Sequence, residues 1–307
     1  MRPVSVFVTG GTGFFGKSLL SMLRRGFLPD WRFTLLSRDP EGFLRRNPCF
    51  AALPNVGFLP GDIRDFRFPE ERFDCILHAA TPSVDQPDDA ELRDIILGGT
   101  ARVLRFAELR RIPRLLYVSS GAVYGPQPPA LPAIPVDFPC APVSAYAKAK
   151  LAAERLCFDS PVPTVVARCF AFTGPFLPRD RHFAIGNFIG DCLAGRTVTI
   201  RGDGTPLRSY LYADDLVEWL FAALRRGRPG GICHVGSDAA VSIRELAETV
   251  RAALNTENAI EVLQAPHPGV PPQRYIPDIA RTAAELGVSV KVGLPDAIRR
   301  SAAGEPA

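Results

Sequence analysis

The chain has 307 residues, 47% of them hydrophobic and 22% charged, with a formal net charge of +4. That composition is ordinary for a soluble globular enzyme, and the length allows one large or two modest domains. No basic block is interleaved with aromatics, which leaves nucleic-acid binding with little support. No uninterrupted apolar run reaches the length of a membrane span. Residues 1–8 lead straight into a strand without room for a signal peptide, so a cytoplasmic protein is expected. Seven cysteines, an odd number without Cys-x-x-Cys spacing, argue against a disulfide framework or a zinc site, and the four histidines stand apart from one another.

In chain order, residues 4–8 form an apolar strand ending at a glycine turn, and an amphipathic stretch follows over 17–25. Further strands are expected at 32–36, 56–59, 73–78, 115–119 and 164–172, with helical spacing over 92–110 and 146–158. Strands alternating with helices predict an α/β fold, a doubly wound parallel (Rossmann) sheet whose ligands bind outside the carboxyl ends of the strands. Seven prolines among residues 126–142 predict an irregular loop. Beyond residue 172 the alternation lapses into short helices and turns, as in a smaller α/β substrate-binding domain. The expected division is 1–173 for the dinucleotide-binding domain and 174–307 for the substrate domain, with a segment around 205–240 returning to the first. Residues 242–254 and 279–286 have helical spacing, Ser242 serving as an N-cap ahead of Glu245. The tail from Ser301 is expected to fray.

Three local patterns carry chemistry. The turn Gly10-Gly11-Thr12-Gly13-Phe14-Phe15-Gly16 lies between a strand and a helix, where glycines let a backbone approach a pyrophosphate. Such turns also arise for steric reasons alone. Gly10, Thr12, Gly13, Phe14, Phe15 and Gly16 are therefore candidate cofactor contacts. At the end of the second strand, Ser37 and Arg38 suit a ribose 2′-phosphate, while Asp39 turned inward would suit free ribose hydroxyls. NADP(H) is favoured, NAD(H) remains open, and Arg38 as a solvated loop charge is the plain alternative.

The third pattern is Tyr146 and Lys150, four residues apart and so on one helix face. A free phenol has a pKa of about 10, and a nearby ammonium would stabilise its anion. Tyr146 could then exchange a proton with a carbonyl or hydroxyl as hydride moves. A Tyr-x-x-x-Lys spacing is common by accident. Here it is preceded by a strand that delivers Ser119-Ser120, and Ser120 could hold the reacting oxygen against Tyr146. A helix N-cap is the plain role for either serine.

Taken together, these residues resemble the extended short-chain dehydrogenase/reductases that act on nucleotide sugars. The resemblance also rests on Gly61-Asp62-Ile63, His78-Ala79-Ala80, Ser119 through Gly125, Gly174-Pro175 and the stretch from Gly202 to Leu216. It implies a catalytic trio of Ser120, Tyr146 and Lys150. It implies cofactor contacts from Asp62 and Ile63 to adenine, with Ala79, Ala80 and Thr81 also on the cofactor. Arg208 would grip the substrate diphosphate, and Ala122 and Asn187 would line the sugar site, helix capping being the alternative for Asn187. Two family asparagines are replaced by Ile96 and Ala171. The related 4,6-dehydratases carry a Thr-Asp-Glu triplet where this chain has Ser120-Gly121-Ala122, so dehydration lacks its acid and base. The expected activity is hydride transfer at C4 of a nucleotide-diphosphate sugar, as a 4-keto (6-deoxy)hexose reductase or alternatively a 4-epimerase. A non-catalytic nucleotide-binding scaffold is the contrasting class. The family commonly dimerises through helices corresponding to 92–110 and 146–158, so a homodimer is expected.

Overall fold

A computed structural model describes residues 3–82, 88–181 and 183–304. Its first strand, β1 (Val4–Thr9), ends on fully buried Thr9 and leads into α1 (Phe14–Arg24). Then follow β2 (Trp31–Ser37), α2 (Pro40–Arg46), β3 (Val56–Pro60), β4 (Cys75–His78), α3 (Asp89–Arg93), a π-helical turn (Asp94–Gly98) and α4 (Gly99–Leu109). β5 (Leu115–Ser120), a 3-10 turn (Gly121–Tyr124), α5 (Ala145–Asp159) and β6 (Thr164–Cys169) continue the alternation. The remaining elements are β7 (Phe172–Thr173), α6 (Ala184–Leu193), β8 (Val198–Ile200), β9 (Leu207–Arg208), β10 (Leu211–Tyr212), α7 (Ala213–Arg226), β11 (Ile232–Val235), β12 (Val241–Ser242), α8 (Ile243–Ala253), β13 (Ile260–Val262), β14 (Arg274–Tyr275), α9 (Ala280–Leu286) and α10 (Leu294–Ala303).

Seven strands form the main sheet in the order β11-β6-β5-β4-β1-β2-β3, and β1 to β6 pair in parallel. The doubly wound α/β fold expected from the alternation is the one found. Strand order reverses between β1 and β4, which makes a crevice at their carboxyl ends the natural ligand position. The expected strand at 164–172 is split: β6 ends at Cys169, and Phe172–Thr173 pairs with Leu211–Tyr212 instead. The expected helix over 92–110 is interrupted by the π-helical turn. The fraying expected from Ser301 is not found in the described residues, because α10 runs to Ala303 with Ser301 buried, its hydroxyl on the Ala297 carbonyl, while residues 305–307 lie outside them.

The chain divides into two units. The first comprises Met1–Gly125, Cys140–Cys169 and Trp219–Cys233. One face of its sheet packs an aromatic cluster, Phe7 lying 5.5 Å from Phe66, 5.3 Å from Phe73 and 5.1 Å from Phe106, centroid to centroid. The edge-to-face pairs add to ordinary apolar burial. Elsewhere in this unit Phe221 meets Trp31 and Phe33 at 5.8 and 5.9 Å. The second unit comprises Pro126–Pro139, Phe170–Glu218 and His234–Ala307. Within it the proline-rich segment is irregular but anchored: Gln127 accepts the Ile276 amide, and Ile134 is fully buried, exchanging backbone bonds with Ile276 and Asp278. Ser242 and Glu245 form the expected capping box of α8.

Candidate active site

Each glycine of the turn answers a different demand. Gly10 has φ +74°, and a Cβ there would stand 2.6 Å from the Ala79 carbonyl group. Gly16 packs so closely on Gly11 that a Cβ would fall 2.1 Å from its backbone. Gly13 differs, since its Cβ would meet only the Gly10 oxygen, at 3.6 Å. Protein packing therefore does not require a glycine at 13. A bare backbone at the start of α1, with no side-chain cap on its amides, is what a close pyrophosphate requires. On that observation the turn fits a dinucleotide. Thr12, Phe14 and Phe15 are half-buried around it, the two rings 5.8 Å apart.

The strand ends beside the turn place the adenosine candidates. Ser37 is buried and its hydroxyl accepts the Asp39 amide at 3.3 Å, whereas Arg38 is exposed. The Asp39 carboxylate does not turn inward: it accepts the Gly42 amide at 2.8 Å as the N-cap of α2. Asp62 is held by Arg64 at 2.8 Å, which keeps its carboxyl below the usual range, Arg38 adding a smaller pull. Ile63 is buried, in the same core as Ile96.

At the junction of β1 and β4 a polar string runs through the core. Thr100 donates to the Ile96 carbonyl at 2.6 Å, so it accepts from His78 Nε2 at 3.0 Å. His78 Nδ1 then accepts the Thr9 hydroxyl at 2.7 Å, and Thr9 accepts the Ala80 amide at 3.2 Å. The partners assign one tautomer. Burial, with Lys150 nearby, pushes His78 down to about 3, so the ring is neutral. Ala79, whose amide reaches the Thr9 carbonyl, and Ala80 are thus backbone features of this junction.

The structure brings Ser120, Tyr146 and Lys150 together within the first unit. Lys150 Nζ donates to the Thr81 hydroxyl at 2.7 Å and the Val118 carbonyl at 2.9 Å. It lies 5.0 Å from the Tyr117 ring centre and 5.9 Å from that of Tyr146. Burial lowers Lys150 to about 8 and raises the Tyr146 phenol to about 12, while a hydrogen bond with Ser120 pulls the phenol back down. Burial is the largest influence on the phenol, and Lys150 Nζ is directed at Thr81 and Val118. Ser120 Oγ accepts the Ala122 amide at 3.2 Å, capping the 3-10 turn, the plain role expected for it. Ala122 is half-buried on that turn.

Two further substrate candidates belong to the second unit. Arg208 on β9 lies opposite Val241 and Tyr275, half-buried, with Nη1 on the Leu207 carbonyl at 2.8 Å. Asn187 lies inside α6, where Phe183 is the N-cap, so it does not cap that helix. Its Nδ2 donates to the Arg181 carbonyl at 2.7 Å, and its buried Oδ1 has no partner among the described residues.

Sequence reasoning passed over a buried charge cluster behind Ser120. Glu154 accepts Ser119 Oγ on one carboxylate oxygen, and Arg168 grips it with Nε at 3.0 Å and Nη2 at 2.7 Å. The available signal was spacing, since Tyr146, Lys150 and Glu154 recur every four residues on α5. Among the described residues no group of His, Cys, Asp and Glu is arranged to hold a metal ion, and no helix is long and apolar enough to cross a membrane.

With this geometry in hand, a sequence model described as the NAD dependent epimerase/dehydratase family matches residues 6–236. The human dTDP-D-glucose 4,6-dehydratase is 29% identical over 273 residues, covering 83% of this chain and 75% of its own. UDP-glucuronic acid decarboxylase 6 of Arabidopsis thaliana is 28% identical over 311 residues, covering 95% and 86%. Among solved structures, the UDP-glucuronic acid 4-epimerase of Bacillus cereus, in complex with UDP-glucuronic acid and NAD, superposes with a TM-score of 0.83 at 22% identity, covering 98% of both chains.

Proposed function

The chain belongs to the NAD dependent epimerase/dehydratase family, and from that membership we propose that it moves hydride to and from C4 of a nucleotide-diphosphate sugar without eliminating water. The observation that carries the reading is the clustering of Ser120 at the end of β5 with Tyr146 and Lys150 on α5, Lys150 Nζ lying 5.9 Å from the Tyr146 ring centre, and Gly121-Ala122 following. A dehydration needs an acid and a base across two sugar carbons, and residues 121–122 offer neither. When bound, the nicotinamide supplies and receives the hydride. Ser120 holds the C4 oxygen against Tyr146, whose phenol passes a proton to it during reduction and removes one during oxidation. Lys150 and Thr81, already hydrogen-bonded to each other, would hold the cofactor. Taken by itself, the second unit offers Arg208 as the proposed diphosphate contact and the unpartnered Asn187 Oδ1 as a proposed acceptor for a sugar hydroxyl.

Epimerisation is the outcome that the solved 4-epimerase supports. Net reduction of a 4-keto sugar is the second reading. It rests on the cap formed by Asp39, which leaves Ser37 and Arg38 to favour a 2′-phosphate and so NADP(H) over NAD(H). Pairing of two copies through α4 and α5, which expose Leu109, Leu156 and Phe158, belongs to the same proposal, and sedimentation velocity decides it.

Incubating the protein with UDP-, dTDP-, GDP- and CDP-hexoses and their 4-keto-6-deoxy derivatives tests the reaction. Product NMR shows a C4 epimer with no net change in cofactor absorbance if it epimerises, and stoichiometric NADPH loss if it reduces. A 4-keto-6-deoxy product from an ordinary hexose would restore dehydration and defeat the proposal.

A further inference from the structure

The serine that faces Tyr146 is bracketed by residues tied to one buried ion pair. Glu154 and Arg168 are 1% and 5% exposed, so both charges are out of water and must satisfy each other. They do so completely on the carboxylate side: one oxygen takes the Ser119 hydroxyl and Arg168 Nε, the other takes Arg168 Nη2. The sheet dictates this geometry. β5 and β6 pair in parallel with Ser119 opposite Arg168 and Ser120 opposite Cys169, so the two partners of Glu154 start from adjacent ladder positions. Ser119 is thereby engaged with Glu154, and Ser120, which ends the strand and caps the 3-10 turn, is the hydroxyl left for Tyr146.

The same guanidinium reaches the other side of Ser120. Its central carbon lies 4.7 Å from the ring centre of Tyr124, the last residue of the 3-10 turn that Ser120 caps. The chain is thus fixed one residue before Ser120 by Ser119 and four residues after it by Tyr124. Both anchors end on the Glu154–Arg168 pair. Glu154 itself stands one turn beyond Lys150 and two beyond Tyr146 on α5. The helix that presents the phenol also fixes the strand end that presents its partner.

We propose that Glu154, gripped by Arg168, is a positioning residue for hydride transfer, holding Ser119 and Tyr124 so that the Ser120 hydroxyl is aimed at Tyr146. This rests on the reaction proposed above for the Ser120–Tyr146–Lys150 site. The groups that act on the Tyr146 phenol are Ser120 and Tyr117 from β5 and Cys169 from β6, with Lys150 of its own helix 5.9 Å from the ring centre. Among them Ser120 pulls the phenol down, against burial, which raises it more. Loosening Ser120 therefore moves the phenol titration upward.

The test uses the full-length protein with Ser119→Ala, Glu154→Gln and the two combined, each alone and over Tyr146→Phe. The phenolate absorbance lost with Tyr146→Phe isolates the titration of that one residue. Turnover is followed on whichever sugar of the UDP- and dTDP-hexose panel the unaltered protein converts, and cofactor affinity by quenching of protein fluorescence. Expected are a fall in kcat of about tenfold to a hundredfold, an upward shift of the phenol titration, unchanged KM and unchanged cofactor affinity. The double variant should fall no further than Glu154→Gln alone, because both substitutions break one linkage. Should Glu154→Gln not fold, Ser119→Ala, which removes a single hydroxyl, decides alone. Folded variants with unaltered kcat and phenol titration overturn the proposal, as does a parallel loss of kcat, KM and cofactor affinity, which would mark a purely scaffolding pair. If the unaltered protein converts no sugar in the panel, the proposed reaction fails, and the phenol titration still decides the positioning role.

Discussion

The two halves of the first unit's sheet treat charge in opposite ways. On the β1–β2–β3 side the charged groups are wet: Arg38 and Arg64 are exposed or nearly so, and Asp62 pairs with Arg64 at the rim. On the β4–β5–β6 side His78, Lys150, Glu154 and Arg168 are all at least 95% buried, and each is satisfied inside the protein. The dry half must hold its groups in one arrangement, because an orphaned charge there has no water to turn to. The wet half can change a residue without disturbing the fold. On the roles proposed above, proton handling falls where geometry is rigid and cofactor choice where substitution is tolerated.

The largest effect expected from breaking the dry half is kinetic. Tyr146→Phe keeps the ring in its pocket and removes only the hydroxyl proposed to exchange a proton. Turnover should fall by roughly 10²–10⁴-fold, the usual contribution of a positioned acid or base, with cofactor affinity preserved. Steady-state kinetics beside fluorescence titration checks this, and a loss of cofactor binding with intact turnover would contradict it.

Next in size is stability. Glu154→Leu strands the Arg168 guanidinium in the core and should cost about 3–5 kcal/mol in a denaturant melt. Arg64→Ala, at the wet rim, should leave the midpoint where it was. Equal losses from both would erase the contrast between the halves.

A smaller, pH-dependent effect comes from His78. Its folded pKa of about 3 lies below the ordinary value of 6.5, so the unfolded chain binds the extra proton first. Stability is therefore undiminished above about pH 6.5 and declines as pH falls towards 3. Between pH 6.5 and 5 the decline should be about 2 kcal/mol. Comparing melts of the unaltered protein with those of His78→Gln across that window isolates it, since the variant should show a flatter profile. An identical slope would mean that His78 is not held neutral.

How legible these halves were in the sequence depends on the range of the interactions. The glycine turn and the Tyr146–Lys150 spacing are local, and both sit on the expected strand–helix junction and helix. The capping box of Ser242 and Glu245 is local too. By contrast, a segment around 205–240 was expected to return to the first unit, but the narrower bounds of Trp219–Cys233 depend on Phe221 meeting Trp31 and Phe33, some 190 residues earlier in the chain, and no periodicity sets them. The grip of Arg168 on Glu154 requires the parallel register of β5 with β6. Gly99, the first residue of α4, packs on a distant segment in the same way: a Cβ there would stand 2.9 Å from Ile63. Asp39 was ambiguous because a carboxylate at a strand end can face a ribose or cap the next helix. Only the distance to Gly42 decides which.

That last ambiguity yields the smallest and most specific prediction, in the wet half. Asp39 sits so close over Gly42 that a Cβ there would fall 1.8 Å from its carboxylate oxygen. The cap needs an acceptor rather than a charge, so Asp39→Asn should keep α2 and leave NAD+ affinity unchanged. Arg38→Ala should weaken NADP+ by roughly tenfold, the scale of one charge-assisted hydrogen bond, with NAD+ unaffected. Calorimetric titration of both cofactors into each variant measures this directly. If Asp39→Asn instead weakens NAD+ while Arg38→Ala leaves NADP+ alone, then the carboxylate swings from its cap to the ribose when cofactor arrives. The wet rim would then be selecting NAD(H) through a residue that the helix also needs.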